Sequence, residues 1–333
     1  MTSSRRLLQL AAIVVVLAYP IVTSGSPVWQ RLGALVLLGA ISASAWNIVG
    51  GYAGQVSVGH AVFFGIGAYA AVVAFVHLDL PPILGAPVGM LLSIAVAAVI
   101  GVPTLRLSGH YFSMATIAVG ELVRVLSSTS NWLGGAQGLG GPAMPRSVFD
   151  LSFVSAMPYY YIFLMVLAGL LGLTWWIERG RMGFYLRAIK DSERAARSLG
   201  VSAGRYKLYA YMLSAAFTSL AGSLYLCMFG FIDPESGFGI LLSVKIVVMA
   251  ALGGAGHLFG PLIGALILVP LEELSNSLLG GQGAGITFVV YGAIIVIIAR
   301  FLPSGLLSLW ERPRRAAKKK TAATASPASG HAD

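Results

Sequence analysis

Residues 82–103, PILGAPVGMLLSIAVAAVIGVP, run for 22 positions without one charged side chain. Comparable apolar runs recur at 7–23, 31–50, 56–76, 111–129, 158–177, 206–231, 239–254, 258–279 and 285–302. About 20 such residues in helical form match the hydrocarbon thickness of a bilayer. In that solvent every backbone N–H and C=O must be paired, which a helix achieves within a single segment. The expected fold is therefore all-α: a polytopic transmembrane helical bundle of about ten membrane segments. Hydrophobic residues make up 57% of the 333 positions and charged residues 10%, against about 25% charged in soluble domains. That leaves too little polar surface to cover a soluble core. The Gly-rich run 56–76 and the short run 239–254 are the two that a broken or re-entrant helix would suit.

The basic residues fix an orientation. With the N-terminus inside, the cytoplasmic side receives Arg5, Arg6, Arg106, eight Lys and Arg from Arg179 to Lys207, and seven from Arg300 to Lys320, 18 of the 22 in the chain. This follows the positive-inside rule and places both termini in the cytoplasm. It also explains the net charge of +10 without nucleic acid, because no basic face interleaved with aromatics is present. The opening MTSSRRLLQLAAIVVVLAYPIV has a basic start and an apolar stretch but no small-x-small cleavage pattern, so it reads as an uncleaved first helix. The membrane portion is expected over 1–311, and 312–333 (RPRRAAKKKTAATASPASGHAD) as a basic, disordered cytoplasmic tail near anionic lipid. The opposite side receives HLDLPP (77–82), the Gly- and Pro-rich connection 130–157, and DPESGFG (233–239).

Motifs for chemistry are missing. No GxxxxGK[ST], HExxH, CxxC or GxSxG pattern occurs, and Cys227 stands alone in an apolar run. No nucleotide, metal or other cofactor site is expected in this chain, and no enzymatic activity. The five histidines are scattered, which suits capping or loop roles better than metal ligation. Charges within spans are few: Glu121, Arg124 and Lys245, with Glu272 and Glu273 near an outer end. Glu121 and Arg124 are three apart and share a helical face, so an internal ion pair competes with a role on a translocation path. GGYAGQVSVGHAVFFGIGAYA (50–70) and LGGAGHLFGPLIGALI (252–267) echo one another through Gly59-His60 and Gly256-His257, consistent with an internal repeat of Gly-interrupted helices. Glu121, Arg124, Gly59, His60 and Gly256 are the candidate translocation-path residues.

One stretch departs from this pattern. GRMGFYLRAIKDSERAARSLGVSAGRYK (180–207) carries nine charges in 28 residues. Leu186, Ile189, Ala196 and Leu199 recur near one face of a helix over about 184–200, with Arg187, Lys190, Asp191, Arg194 and Arg197 on the rest. Gly200 sits where a helix terminator belongs. A solvated loop, a lipid-surface helix and a docking helix for a cytoplasmic partner all fit. The mixed charge, with Asp191 and Glu193 among the bases, argues against simple lipid adhesion.

ERAARSLG (193–200) resembles the E-x-A-A-x-x-x-G coupling loop of ABC importer permeases. The surrounding segment, with NIVGGYAGQVSVGHAVFFGIGAYA (47–70), TLRLSGHYFSMATIAVGE (104–121), NWLGGAQGLGG (131–141) and MAALGGAGHLFGPLIGA (249–265), is similar to the branched-chain amino acid permeases of the LivM-like branch. The likeness runs from about residue 30 to about 302. It implies a subunit of the bacterial cytoplasmic membrane working with a homologous second permease subunit. It also implies two cytoplasmic ATPase subunits, which would bind ATP, and a periplasmic or lipid-anchored substrate-binding protein. Glu193, Ala195, Ala196 and Gly200 carry the loop pattern; Arg187 and Asp191 join them as coupling candidates on the polar face. The motifs do not separate Leu, Ile and Val from urea or short amides, and an ATP-independent carrier or channel is the alternative of another class.

Overall fold

The computed structural model describes residues 14–107, 109–142 and 150–278, together with 289, 292–293, 300 and 305–307. The expected span 285–302 lies almost wholly outside these residues, as do the tail 312–333 and the first part of 7–23. Residues 14–22 are helical (α1). The long helices that follow are α2 (Pro27–Asn47), α3 (Ala61–Leu78), α4 (Pro82–Thr104), α5 (His110–Thr129), α6 (Met157–Arg179), α9 (Ala203–Phe229), α11 (Ile240–Gly253) and α12 (Gly260–Leu278). Between them lie the short helices α7 (Arg181–Asp191), α8 (Glu193–Ser198) and α10 (Pro234–Phe238). A two-residue antiparallel pair, β1 (Leu139–Gly140) with β2 (Phe231–Ile232), joins two loops.

Among the described residues, six helical stretches are long and apolar enough to cross a membrane: Pro27–Tyr52, Ala61–Leu78, Pro82–Thr104, Met157–Arg179, Ala203–Phe229 and Pro234–Gly253. The chain is thus an all-α polytopic membrane protein. α5 and α12 have spanning length but stand outside that set; α5 carries Glu121 and Arg124 and ends in Ser127, Ser128 and Thr129. Neither the Gly-rich nor the short suspect is broken within its helix. The break precedes α3: α2 passes into one turn of π-helix at Ile48–Tyr52, and α3 then runs uninterrupted from Ala61. The 239–254 segment is short because α10 forms the start of that crossing.

α2 is the most deeply buried of the six spans. Its run of small residues, Ala40, Ser42, Ala43, Ser44 and Ala45, lets helices close in from several sides, which substitutes for the hydrophobic drive that lipid cannot supply. α3, α4 and α9 form a second packed group. At Gly67 an added Cβ would lie 1.8 Å from the Ser219 carbonyl oxygen, and at Gly222 1.9 Å from that of Phe64. Those distances are far inside van der Waals contact, so α3 and α9 meet backbone to backbone. A buried hydroxyl reinforces the contact, Ser223 Oγ donating to the Gly67 carbonyl (2.8 Å), and another ties α9 to α2, Ser214 Oγ donating to the Ala45 carbonyl (2.7 Å).

The helices gather their loops at two ends. One end holds α7–α8, the π-turn and the α11–α12 turn. The opposite end holds the β1–β2 pair, α10, and the His77 ring stacked on Trp132 at 4.9 Å between centroids.

Candidate functional site

The charged segment forms two helices. Ser192 is extended (φ −158°), which ends α7 at Asp191, and its hydroxyl accepts the Ala195 N–H as the cap of α8. A single continuous 184–200 helix, as the apolar spacing suggests, is therefore corrected to a kinked pair. A serine offers its hydroxyl to backbone N–H groups and stops a helix more readily than it continues one. The kink also changes the expected apolar face. Leu186, Ile189 and Ala196 are buried, the last two clustering with Ala203 of α9. Leu199, expected among them, lies past the end of α8 and is 84% exposed.

The C-terminus of α8 closes as the Gly spacing predicts. Gly200 adopts φ +82°, its N–H donates to the Arg197 carbonyl (2.9 Å), and the Val201 N–H donates to that of Ala196 (3.1 Å). This is a Schellman ending, in which a left-handed glycine lets the last carbonyls be satisfied. Nothing lies within 4 Å of a Cβ added at Gly200, so the requirement for glycine there is conformational rather than steric.

Glu193 anchors α8. Its carboxylate receives Lys207 Nζ of α9 and Arg197 Nη2, each at 2.5 Å, and the Lys207 side chain is only 3% exposed. Partial burial pushes the Glu193 carboxyl up, but Lys207 and Arg197 outweigh it and hold the group below its usual range. Arg187 is tied back to the end of α6, donating to the Glu178 carbonyl (2.9 Å) and carboxylate (3.1 Å). Asp191 and Ala195 are exposed. The pair thus has an inner face of Leu186, Ile189, Glu193 and Ala196. Its outer face carries Arg187, Asp191, Ala195 and Leu199, with Phe184 at 71% exposure.

A residue that the sequence reading passed over fixes α7 to the bundle. Lys190 Nζ donates to the Gly51 carbonyl in the π-turn (2.7 Å). Beside it the Gly256 N–H donates to Asn47 Oδ1 (2.8 Å), and Asn47 Nδ2 donates to the His257 carbonyl (3.0 Å). Gly256 has φ +88°, and a Cβ there would lie 3.0 Å from the Gly51 carbonyl oxygen and 3.1 Å from Lys190 Nζ. α7, the end of α2 and the α11–α12 turn are therefore one hydrogen-bonded knot. Periodicity had no means of showing this, since Lys190 and Gly51 are 139 positions apart.

Gly256, a translocation-path candidate, belongs to this knot. Gly59 and His60 lie near the same end. A Cβ at Gly59 would come 2.2 Å from the Thr116 carbonyl oxygen, so the glycine seats α5. His60 occupies the N-cap position of α3 but its ring makes no cap hydrogen bond. Instead the buried ring meets Ser214 Oγ at 2.8 Å and packs against Phe63 and Tyr211. Glu121 and Arg124 lie elsewhere, towards the opposite end of α5. They pair as their spacing predicts, but Glu121 is 53% exposed and Arg124 also reaches Glu235 of α10 at 3.1 Å. The expected internal pair is an exposed three-membered chain. Among the described residues no three His, Cys, Asp or Glu side chains gather as metal ligands.

Comparison with known proteins agrees with the geometry. The family model for the branched-chain amino acid transport system permease component matches residues 31–299. LivM of Escherichia coli, a high-affinity branched-chain amino acid transport system permease protein, is 28% identical over 331 residues, covering 92% of this chain and 76% of LivM. LivH of the same organism, similarly described, is 26% identical over 80% of this chain and 90% of its own length. LsrC of Klebsiella pneumoniae, an autoinducer 2 import system permease protein, is 29% identical over 51% of this chain and 48% of LsrC. With most of its length matched, and with a capped charged helix pair knotted to one end of an apolar bundle, the chain belongs to the permease-component family of branched-chain amino acid transport systems.

Proposed function

We propose that this chain is one membrane subunit of an ATP-driven importer for branched-chain amino acids, and that α7–α8 is its contact with separate cytoplasmic ATPase subunits. The observation that carries this reading is the two-faced build of the α7–α8 pair. Its inner face is locked to α9 by Glu193 and Lys207, while its outer face offers Phe184, Arg187 and Leu199 unburied. A segment that must transmit movement needs both properties: a rigid hold on the bundle and a free surface for the partner. Helix-in-groove docking of this kind uses a few apolar anchors flanked by charge.

In this reading the charged end faces the cytoplasm together with both chain termini, and about ten segments cross the membrane. The partners are two ATPase subunits, a homologous permease subunit and an external binding protein. The similarity of this one chain to both LivM and LivH supports a pairing of related permease subunits. ATP binding closes the ATPase pair, α7–α8 moves with it, and the knot through Lys190, Gly51, Asn47 and Gly256 carries that displacement into α2, α11 and α12. The bundle then alternates between outward- and inward-facing states. The likeness to LsrC, an autoinducer 2 import system permease protein, favours a second reading of the substrate, a solute other than an amino acid.

Reconstitution of the complete assembly in proteoliposomes tests the coupling assignment. Glu193→Lys and Gly200→Val are expected to lower substrate uptake while ATP hydrolysis continues, with the membrane fold retained. Uptake at the original rate per ATP hydrolysed in both variants refutes it.

A further inference from the structure

The end opposite α7–α8 holds a half-open cavity of about 590 Å³ bounded by α2, α3, α9, α10, α11 and α12. Arg31 and Ser42 both line it. They are 11 residues apart on α2, roughly 16 Å of helix, so the cavity reaches from the bundle end well into the apolar layer. The volume lies within the roughly 300–1,000 Å³ usual for small-molecule sites. Its floor is apolar: Leu38, Phe64, Met249 and Val269 are all buried.

The charged lining is of both signs. Arg31 lies over the Phe229 ring, 5.2 Å from its centroid. Asp233 is committed to capping α10, accepting the Glu235 and Ser236 N–H groups. Glu235 is paired with Arg124 outside the cavity. That leaves Lys245 of α11 and Glu272 of α12, which form an ion pair across the cavity wall, and Glu273 at the rim. Lys245 lies within a helix apolar enough to cross a membrane. A cation at such a position is expensive, and ionisable residues retained there mark ligand or ion pathways. A purely structural pair has no such need to line an open cavity, since well-packed apolar residues serve stability as well or better.

We infer that this cavity binds a single zwitterionic α-amino acid with an apolar side chain. The ligand's ammonium meets Glu272, its carboxylate meets Lys245, and its side chain lies on the Leu38, Phe64, Met249 and Val269 floor. The resting Lys245–Glu272 pair keeps both charges compensated while the cavity is empty. Insertion of a zwitterion exchanges that one pair for two and leaves no charge alone. A ligand with only one charge would strand either Lys245 or Glu272, and a stranded charge in a partly buried site is penalised heavily. The site thus selects for both charges at once. It lies at the other end of the molecule from the coupling contact and does not depend on it.

The test is equilibrium binding of radiolabelled L-leucine to the full chain alone in lipid nanodiscs, without ATPase, binding protein or nucleotide. Saturable binding is expected, displaced by unlabelled leucine but not by isovalerate or isoamylamine, each of which lacks one charge. Lys245→Met should weaken binding about tenfold or more, corresponding to about 1.4 kcal/mol. Leu35→Trp, which narrows the cavity without touching a charge, should abolish binding while the unfolding temperature stays that of the unaltered chain. Three results would overturn the inference: no saturable binding, displacement by isoamylamine as effective as by leucine, or unaltered affinity in both variants. Failure here would leave the uptake-per-ATP test unaffected, so the two assignments fail separately.

Discussion

Lys190 and Arg124 are both cations at an end of the bundle, and they are held in different ways. Lys190 donates to a backbone carbonyl, Gly51, and its exposed side chain runs against two glycines, Gly54 and Gly256, whose added Cβ atoms would each lie 3.1 Å from it. Among the described residues Arg124 meets only other side chains, the exposed carboxylates of Glu121 and Glu235. Backbone partners from distant segments fix one geometry, because shifting any of them shifts a whole helix. Side-chain partners at an exposed site re-form with water or with a ligand at little cost. Under the proposed function, the charged end has the fixed geometry that transmitting a displacement requires, and the opposite end has partners that can rearrange around open space.

Glu193→Lys should break this contrast most severely. It places a second cation against Lys207, whose side chain is 3% exposed, and an uncompensated buried charge costs about 3 kcal/mol or more. Limited proteolysis should then cut within 192–202. Restoring protection by combining Glu193→Leu with Lys207→Met would show that anchoring, rather than charge as such, is what α8 requires. Lys190→Met comes next: loss of a charged hydrogen bond to the Gly51 carbonyl should cost about 2 kcal/mol. The readout is faster hydrogen exchange in the π-turn, whose Gly51 carbonyl Lys190 holds, and with it in 254–257, which Asn47 ties to the start of that turn. Exchange that rises in only one of them would dissolve the knot into separate contacts. Gly200→Val is smaller, about 1–2 kcal/mol from its left-handed backbone alone, and should appear as fraying of α8 with α7 intact. At the other end, Glu121→Gln should leave the melting temperature unchanged, because the pair it breaks is solvent-exposed. A clear drop there would mean the two ends are less different than their contacts indicate.

The spans were legible because hydrocarbon admits so few backbone arrangements; eight of the expected runs correspond to described long helices within a few residues. The Schellman ending at Gly200 was legible for the same local reason. What escaped the sequence was non-local. The kink at Ser192 follows from a hydroxyl that competes for backbone N–H groups, and the apolar spacing across it looked continuous, so Leu199 was placed on the wrong face. Glu193 was identified by its motif, but its partner Lys207 lies in the next helix, where a lone lysine reads as a positive-inside marker. Lys245 and Glu272 were each visible as charges near spans, yet nothing in their spacing announced that they pair across a cavity.

The central claim, that the charged end and not the opposite end receives the ATPase subunits, is most directly tested by site-directed cross-linking in the assembled transporter. Cys227, the chain's single cysteine, is buried and can be replaced by serine. Leu199→Cys and Trp132→Cys then place one exposed thiol at each end. A thiol-to-amine reagent should join the chain to an ATPase subunit from position 199 and not from position 132. No adduct from 199, or an equal yield from 132, would contradict the account.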